Sequence, residues 1–172
     1  MAVLNARAVG GFLNGHDVNE SKTVQVHDLG TRFRDHVGRE FMMVRAAAAI
    51  TGQGYVLAID AANDALMLTT AILDTFSEWL GACATNGAPA DNDYLWMCTQ
   101  KPPGDTELGI FTAASSPADL QLFSSGTAGM LSSAASGTPI EGVRLLTATG
   151  GSNAVNTASE WDNMKRGQYV AT

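Results

Sequence analysis

The clearest alternation of apolar and polar positions lies in residues 78–100. Two apolar runs flank a polar centre that contains Gly87 and Pro89, residue types that favour turns. In the second run, alternate side chains would point to opposite faces of a strand, and both sets are largely apolar: Tyr94, Trp96 and Cys98 on one face, and Leu95, Met97 and Thr99 on the other. The pattern predicts a central β-hairpin whose second strand is covered on both sides.

Short strands separated by turn residues are predicted on either side of this hairpin. Before it, a strand from Arg39 ends at the turn 51–54 and takes in the Ala-rich run 46–49, and strands 55–60 and 65–70 flank the turn 61–64. After it come a loop, 101–105, and four strands at regular spacing: 107–113, 119–124, 128–134 and 140–148. The fold class expected from this spacing is all-β, a small antiparallel β-barrel or β-sandwich.

At most one or two short helices are expected. Ile72, Leu73, Phe76, Trp79 and Leu80 fit helical spacing within residues 71–80. A second short helix is predicted over 157–166, in the otherwise polar tail.

The N-terminal segment differs from the rest of the chain. Residues 1–38 lack a sustained period of 2 or 3.6, which predicts an extended N-terminal arm ahead of a β-rich body formed by residues 39–172. Residues 1–46 carry six basic and five acidic side chains, whereas the remaining 126 residues carry four basic and twelve acidic ones. A slightly basic arm ahead of an acidic body suggests a segment that orders on a partner; the alternative is a frayed terminus without a function.

Composition narrows the classes of partner. A net charge of −7 argues against nucleic acid, and no apolar run approaches the roughly 18 residues of a membrane span. The start of the chain lacks the basic region and unbroken apolar stretch of a signal peptide. Charged residues make up only 16% of the chain, which indicates a neutral surface suited to contacts with other protein copies.

No catalytic motif, cofactor site or metal site is predicted. The chain contains no nucleophile elbow, P-loop, dinucleotide fingerprint, HExxH or CxxC sequence. Its histidines, His16, His27 and His36, have no zinc-site spacing, and the acidic turns 60–64 and 91–93 lack the pattern of a calcium loop. The chain is therefore not expected to be an enzyme.

The two cysteines, Cys83 and Cys98, fall on opposite arms of the predicted hairpin. If the bend is centred near Ala90 they lie roughly opposite each other, so a cross-strand disulfide is one arrangement. The favoured alternative is two buried free thiols, since free cysteine behaves as a small apolar residue.

A candidate contact patch combines arginine with aromatic residues, the types enriched at interface hot spots. It consists of Arg32, Phe33, Arg34, Arg39 and Phe41. The alternative interpretation is ordinary charge at the edge of a strand.

The order of several motifs resembles the small structural proteins encoded beside the major capsid protein in tailed bacteriophages. The similarity spans about residues 26–150 and rests on these segments: ValHisAspLeuGlyThr (26–31), GlyArgGluPheMetMetValArgAla (38–46), AlaIleThrGlyGlnGlyTyrValLeuAlaIleAsp (49–60), TrpLeuGlyAlaCysAla (79–84), AspAsnAspTyrLeuTrpMet (91–97) and GlyThrAlaGlyMetLeu (126–131).

The resemblance implies a decoration, or cement, protein of the phage head. Such a protein is a β-rich body on the outer capsid surface of the virion, assembled in the host bacterial cytoplasm. It is often a homotrimer at three-fold positions, with the major capsid protein as its partner and no cofactor. The alternative function is a head-fibre base or a carbohydrate-binding module that touches the host surface, which exposed Trp79, Trp96 or Trp161 would favour.

Overall fold

The computed structural model describes residues 17–73, 79–151 and 153–167. This part of the chain contains twelve strands and one short helix. In chain order they are β1 (Arg32–Arg34), β2 (Glu40–Ala46), β3 (Val56–Ile59), β4 (Asp64–Met67), α1 (Thr70–Leu73), β5 (Trp79–Cys83), β6 (Tyr94–Lys101), β7 (Ile110–Thr112), β8 (Leu122–Ser124), β9 (Leu131–Ser132), β10 (Pro139–Leu145), β11 (Ala154–Asn156) and β12 (Ser159–Arg166). The predicted all-β class is confirmed.

Five of the strands close into a barrel. Strand β2 is hydrogen-bonded to both β4 and β6, which completes the ring β2, β4, β3, β5, β6. Because the ring has an odd number of strands, their directions cannot alternate all the way round, and one neighbouring pair must be parallel. That pair is β2 and β4, in which Arg45 lies opposite Asp64. The other four pairings in the ring are antiparallel.

The barrel interior is filled by side chains from alternate positions of its strands. The cluster contains Met42, Val44, Ala46, Leu57, Ile59, Ala65, Met67, Cys83, Leu95 and Met97. Gly81 of β5 also belongs to this face. A Cβ at Gly81 would lie 2.6 Å from Cγ of Met97 and 2.7 Å from the carbonyl oxygen of Cys98, so only glycine leaves room for the methionine here.

A second layer of strands covers the outside of the barrel. The sheet continues from β6 through β12, β10, β8, β9 and β7 to β11. Between the two layers lies a larger core, to which both contribute; among its members are Phe41, Trp96, Leu122, Leu131, Ile140 and Trp161. Strand β6 is therefore buried on both faces, as the alternation in residues 94–99 predicted.

The register of the central hairpin decides the state of its cysteines. Ala82 lies opposite Cys98, and Cys83 lies opposite Met97. A register offset of one residue places two side chains on opposite faces of a sheet. The Cys83 side chain therefore lies inside the barrel and that of Cys98 in the outer core. Both thiols are free and buried, which confirms the favoured prediction.

The predicted N-terminal arm divides at the limit of the described residues. Residues 1–16 lie outside them. Residues 17–38 run along the barrel: Val18 is fully buried, and Lys22 exchanges two backbone hydrogen bonds with Tyr94, at 2.9 and 2.8 Å. Strand β1 then pairs antiparallel with β2.

The helix predicted over 157–166 is wrong, because this segment forms strand β12. The buried residues Trp161 and Met164 are three positions apart, a spacing that also suits a helix. In the structure the spacing comes from a β-bulge, at which Glu141 faces Lys165 but Val143 faces Trp161. Gly142 and Asn163 at this bulge have φ values of 77° and 47°.

Two smaller differences lie near the barrel. Strand β2 ends at Ala46, so residues 47–49 of the Ala-rich run are not part of it. The short helix expected within 71–80 is present only as α1, which ends at Leu73, and its Ile72 backbone N–H donates to Oγ1 of Thr69 at 3.1 Å. The helical spacing was wrong for Trp79 and Leu80, which pair with β3 as the first residues of strand β5. Residues 74–78 lie outside the described residues.

Candidate functional site

The structure separates the five predicted contact residues into an exposed and a buried group. Arg32 and Arg34 are exposed on β1. Phe33, between them, is half-buried against Phe41 and Trp96, with ring centroids 5.0 and 4.9 Å away. Arg39 and Phe41 are fully buried. Only Arg32 and Arg34 of this set therefore offer a charged surface to a partner, whereas Arg39 and Phe41 belong to the interior.

The two exposed arginines lie at one end of the barrel. Arg32 is opposite Met42 and Arg34 is opposite Glu40. Residues directly opposite each other in an antiparallel pair share a face, and Met42 lies inside the barrel. Trp79 shares a face with Cys83, another interior residue, because side chains alternate along β5. We call Arg32, Arg34, Glu40, Trp79 and Gln100 the barrel-end cap.

One carboxylate is shared by both arginines of the cap. Glu40 accepts a hydrogen bond from Nη1 of Arg32 at 2.7 Å and lies 3.6 Å from Nη2 of Arg34. Arg34 also donates to Oε1 of Gln100 at 2.9 Å. The three charged side chains of the cap leave one net positive charge on a chain whose total is −7.

Trp79 is the exposed aromatic residue of the cap. It is 42% exposed, whereas Trp96 and Trp161 are buried in the outer core. The guanidinium carbon of Arg32 lies 5.1 Å from the centroid of the Trp79 ring. This cation–π contact restrains the arginine in an orientation that is also fixed by Glu40.

Arg39 is the buried centre of an ionic cluster that joins two loops; the side chains of Asp35 and Asp105 are buried with it, whereas that of Glu107 is 36% exposed. Its Nε donates to Asp35 at 2.6 Å and its Nη1 to Glu107 at 2.8 Å, and Asp105 is 3.6 Å from Nη1. Burial by itself lowers the pKa of Arg39, but the hydrogen bonds to Glu107 and Asp35 outweigh burial and raise this pKa. The guanidinium therefore stays charged and holds the 102–107 loop against the end of β1.

Lys101 is a second buried cation, which the sequence pattern did not reveal. Its Nζ donates to the backbone carbonyls of Thr157, at 2.9 Å, and of Ser159. It also lies 5.5 Å from the centroid of the Trp161 ring. Burial lowers the pKa of Lys101. Its contacts attach the turn between β11 and β12 to the end of β6, which is a structural role.

The acidic turns are explained by local hydrogen bonds. Oδ1 of Asp60 accepts from the backbone N–H groups of Ala62 and Asp64, at 2.8 and 2.9 Å. Oδ2 of Asp93 accepts from the backbone N–H of Ala90, three residues earlier in the chain, at 3.0 Å. The Asx turn at Asp60 and this backward bond at Asp93 both form without a bound cation. Within the described ranges, no group of three His, Cys, Asp or Glu residues is arranged to hold a metal ion.

Of the histidines and cysteines, His27 and the two thiols lie in structural environments. The His27 ring lies 5.3 Å from that of Trp96, His36 is exposed, and His16 lies outside the described residues. Burial raises the pKa of Cys83 to about 12 and raises that of Cys98 as well. Both thiols are therefore protonated near neutral pH and are poor nucleophiles.

A search for membrane-spanning helices in the described residues found none of sufficient length and apolarity. No protein-family model, curated protein or solved structure matches this chain.

Proposed function

We propose that this protein is a structural virion protein that binds the outer surface of a bacteriophage capsid and stabilises the head. The proposal begins from the resemblance to phage decoration proteins in residues 26–150. The observation that carries it is the barrel-end cap, in which two exposed arginines lie beside an exposed tryptophan, whereas Arg39 of the predicted patch is buried. Arginine and tryptophan are the residue types that most often supply binding energy at protein interfaces.

The barrel supports this role by holding the cap on a fixed frame. Strands β2 and β6 have apolar side chains packed on both faces. The cap residues belong to β1, β2, β5 and β6 or to their ends, so their backbone positions are set by the barrel. Residues held on such a frame lose little backbone conformational freedom when they bind a partner.

In this proposal the protein acts as a homotrimer, and its N-terminal arms strap neighbouring subunits of the major capsid protein. Each trimer would present three caps to a three-fold position of the shell. Weak contacts at each cap then combine, because the first contact raises the effective concentration of the other two. If the trimer binds the assembled lattice but not the separate capsid subunits, it stabilises the lattice by mass action.

A second candidate function is binding to a carbohydrate on the host surface, and the exposure of Trp79 favours it. Sugar-binding sites use the open face of an aromatic ring as a platform. In the cap, the Arg32 guanidinium already lies over the Trp79 ring. This contact favours a protein partner over a sugar, since it leaves less of the ring free.

The test is co-sedimentation of the purified protein with expanded capsids that lack it, together with sedimentation velocity of the protein alone. We expect saturable binding by a trimer and capsids that resist heating to a higher temperature. A truncation that begins at Asp17 keeps the buried Val18 and should fold but bind less well. A protein that stays in the supernatant would contradict the proposal, and binding to a glycan array would then support the second candidate.

A further inference from the structure

In the part of the chain that the structure describes, strand β1 has one unpaired edge, which lies beside the cap. Among the described residues, the sheet ends at β1, which is paired with β2 on one side. The N–H of Met43 donates to the carbonyl of Thr31, and the N–H of Asp35 donates to the carbonyl of Arg39, both at 2.9 Å. Hydrogen-bonded positions recur at every second residue of an antiparallel strand. The backbone groups of Phe33 therefore face β2, and those of Arg32 and Arg34 point towards the open edge.

We propose that this edge binds an extended segment of a partner protein that carries acidic residues at alternate positions. The segment would add as a strand beside β1, with hydrogen bonds to the backbone of Arg32 and Arg34. Strand addition of this kind takes affinity from main-chain hydrogen bonds and specificity from alternate side chains. The inference rests on the proposed function, in which the segment belongs to the major capsid protein.

The spacing of the two arginines fits this partner. Arg32 and Arg34 are two residues apart, so their side chains lie on the same face of β1. On an added strand, the residues opposite them are also two apart, and their Cβ atoms lie about 4.5–5.5 Å from those of the arginines. An acidic–any–acidic sequence therefore brings one carboxylate to each guanidinium.

The charge of the site favours the same partner. Glu40 offsets only one of the two arginine charges, so the cap keeps a net positive charge that attracts incoming carboxylates. Residues 47–172 carry twelve acidic and four basic side chains and repel an acidic segment elsewhere on the body. The Trp79 ring and Glu40 restrain Arg32 before binding, which reduces the entropy that binding would otherwise remove.

The test is binding of a fluorescent decapeptide of alternating Asp and Val to the full-length protein, followed by anisotropy at low salt. The matched probe is the same peptide with Asn in place of Asp. We expect the Asp peptide to bind and the Asn peptide to bind at least about tenfold more weakly. Arg34→Glu should weaken binding of the Asp peptide by about tenfold or more, because like charges then face each other across the site.

Two variants serve as controls for this substitution. Arg144→Glu makes the same charge change at a side chain with the same 57% exposure, but it lies on β10, and it should leave binding unchanged. Glu40→Gln frees the second arginine and should tighten binding. Equal binding of the two peptides, or equal losses in Arg34→Glu and Arg144→Glu, would overturn the proposal, as would weaker binding by Glu40→Gln.

The peptide test separates this inference from the proposed function. If the Asp peptide binds through Arg34 but the protein does not sediment with capsids, the edge site is supported and the capsid function fails. If the protein sediments with capsids and the Asp peptide does not bind the wild type, the capsid function is supported and the edge site is overturned.

Discussion

Arg34 and Arg39 are five residues apart in the chain and have opposite environments. Arg34 is exposed at the end of β1, where it shares one carboxylate with Arg32. Arg39 is fully buried and lies within 3.6 Å of carboxylate oxygens from Asp35, Asp105 and Glu107. The comparison shows that the balance of carboxylates around an arginine separates a structural cation from one that is available to a partner.

The largest expected effect is on stability, from the substitution of the buried arginine. Arg39→Met keeps most of the side-chain volume but leaves three carboxylates near one another without their cation. Removing one partner of a buried ionic cluster costs about 3–5 kcal/mol of unfolding free energy. Arg34→Met should change this free energy by about 0.5 kcal/mol or less, because its side chain is exposed. Urea unfolding of the two variants measures the difference, and equal values would remove the distinction between them.

Lys101 extends the comparison to a second buried cation. Lys101→Met leaves the carbonyls of Thr157 and Ser159 without their donor, so a loss of about 1–3 kcal/mol of unfolding free energy is expected. The matched control is Lys165→Met, since Lys165 is 61% exposed and should contribute about 0.5 kcal/mol or less. Urea unfolding at neutral pH compares them. If the Lys165 variant loses as much as the Lys101 variant, the buried contacts have no special value.

The pH dependence of stability sharpens the assignment of Lys101. Burial lowers the pKa of Lys101 in the folded protein below the 10.5 of an ordinary lysine. At a pH between the folded-state pKa and 10.5, Lys101 therefore binds its proton more tightly in the unfolded chain than in the folded protein. The unfolding free energy therefore rises with pH over this range. At a pH below the folded-state pKa, the folded protein carries the full cost of burying the charged ammonium group. The unfolding free energy of the wild type, relative to Lys101→Met, should increase as the pH approaches 10.5. A constant difference would show that burial does not affect this ammonium group.

The smallest effect concerns the thiols, which test the register of the hairpin. Because Cys83 and Cys98 are buried and protonated, neither should react with a maleimide in the folded protein at pH 7, and both should react in urea. Mass spectrometry counts the labelled thiols without any substitution. Recovery of a disulfide from the unreduced protein would mean that the two cysteines share a face, contrary to the observed register.

Alternation along the chain was enough to predict most of the strands. Tyr94, Trp96 and Cys98 lie on the opposite face of β6 from Leu95 and Met97, as predicted, because a period of two requires only the local sequence. The same rule contained a signal for Arg39. Arg39 is two residues before Phe41, so the alternation places both side chains on the face that packs into the outer core. Its position in the alternation therefore indicates that Arg39 is buried despite its charge.

Bulges explain what the alternation did not predict. The pairing of β2 with β6 skips Thr99, because Phe41 lies opposite Cys98 and Glu40 opposite Gln100. Because of this shift, residues of β6 after Thr99 lie on the opposite face from the one that simple alternation predicts. Lys101 is therefore buried beside Trp161 in the outer core. The bulge at Gly142 likewise gave β12 a helical spacing of apolar residues. Both depend on pairing between distant segments, which one strand's sequence does not contain.

The cap could be predicted only in part for the same reason. Arg32 and Arg34 were identified from residue type and neighbourhood, but Trp79 and Glu40 reach them through the closure of the barrel. No local pattern places the first residue of β5 beside β1.

The most direct test of the account is co-sedimentation of wild type, Arg34→Glu and Arg144→Glu with capsids that lack the protein. We expect wild type and Arg144→Glu to sediment equally with the capsids and Arg34→Glu to stay largely in the supernatant while remaining folded. Equal sedimentation of all three proteins would contradict the claim that the exposed cap is the surface that binds the capsid.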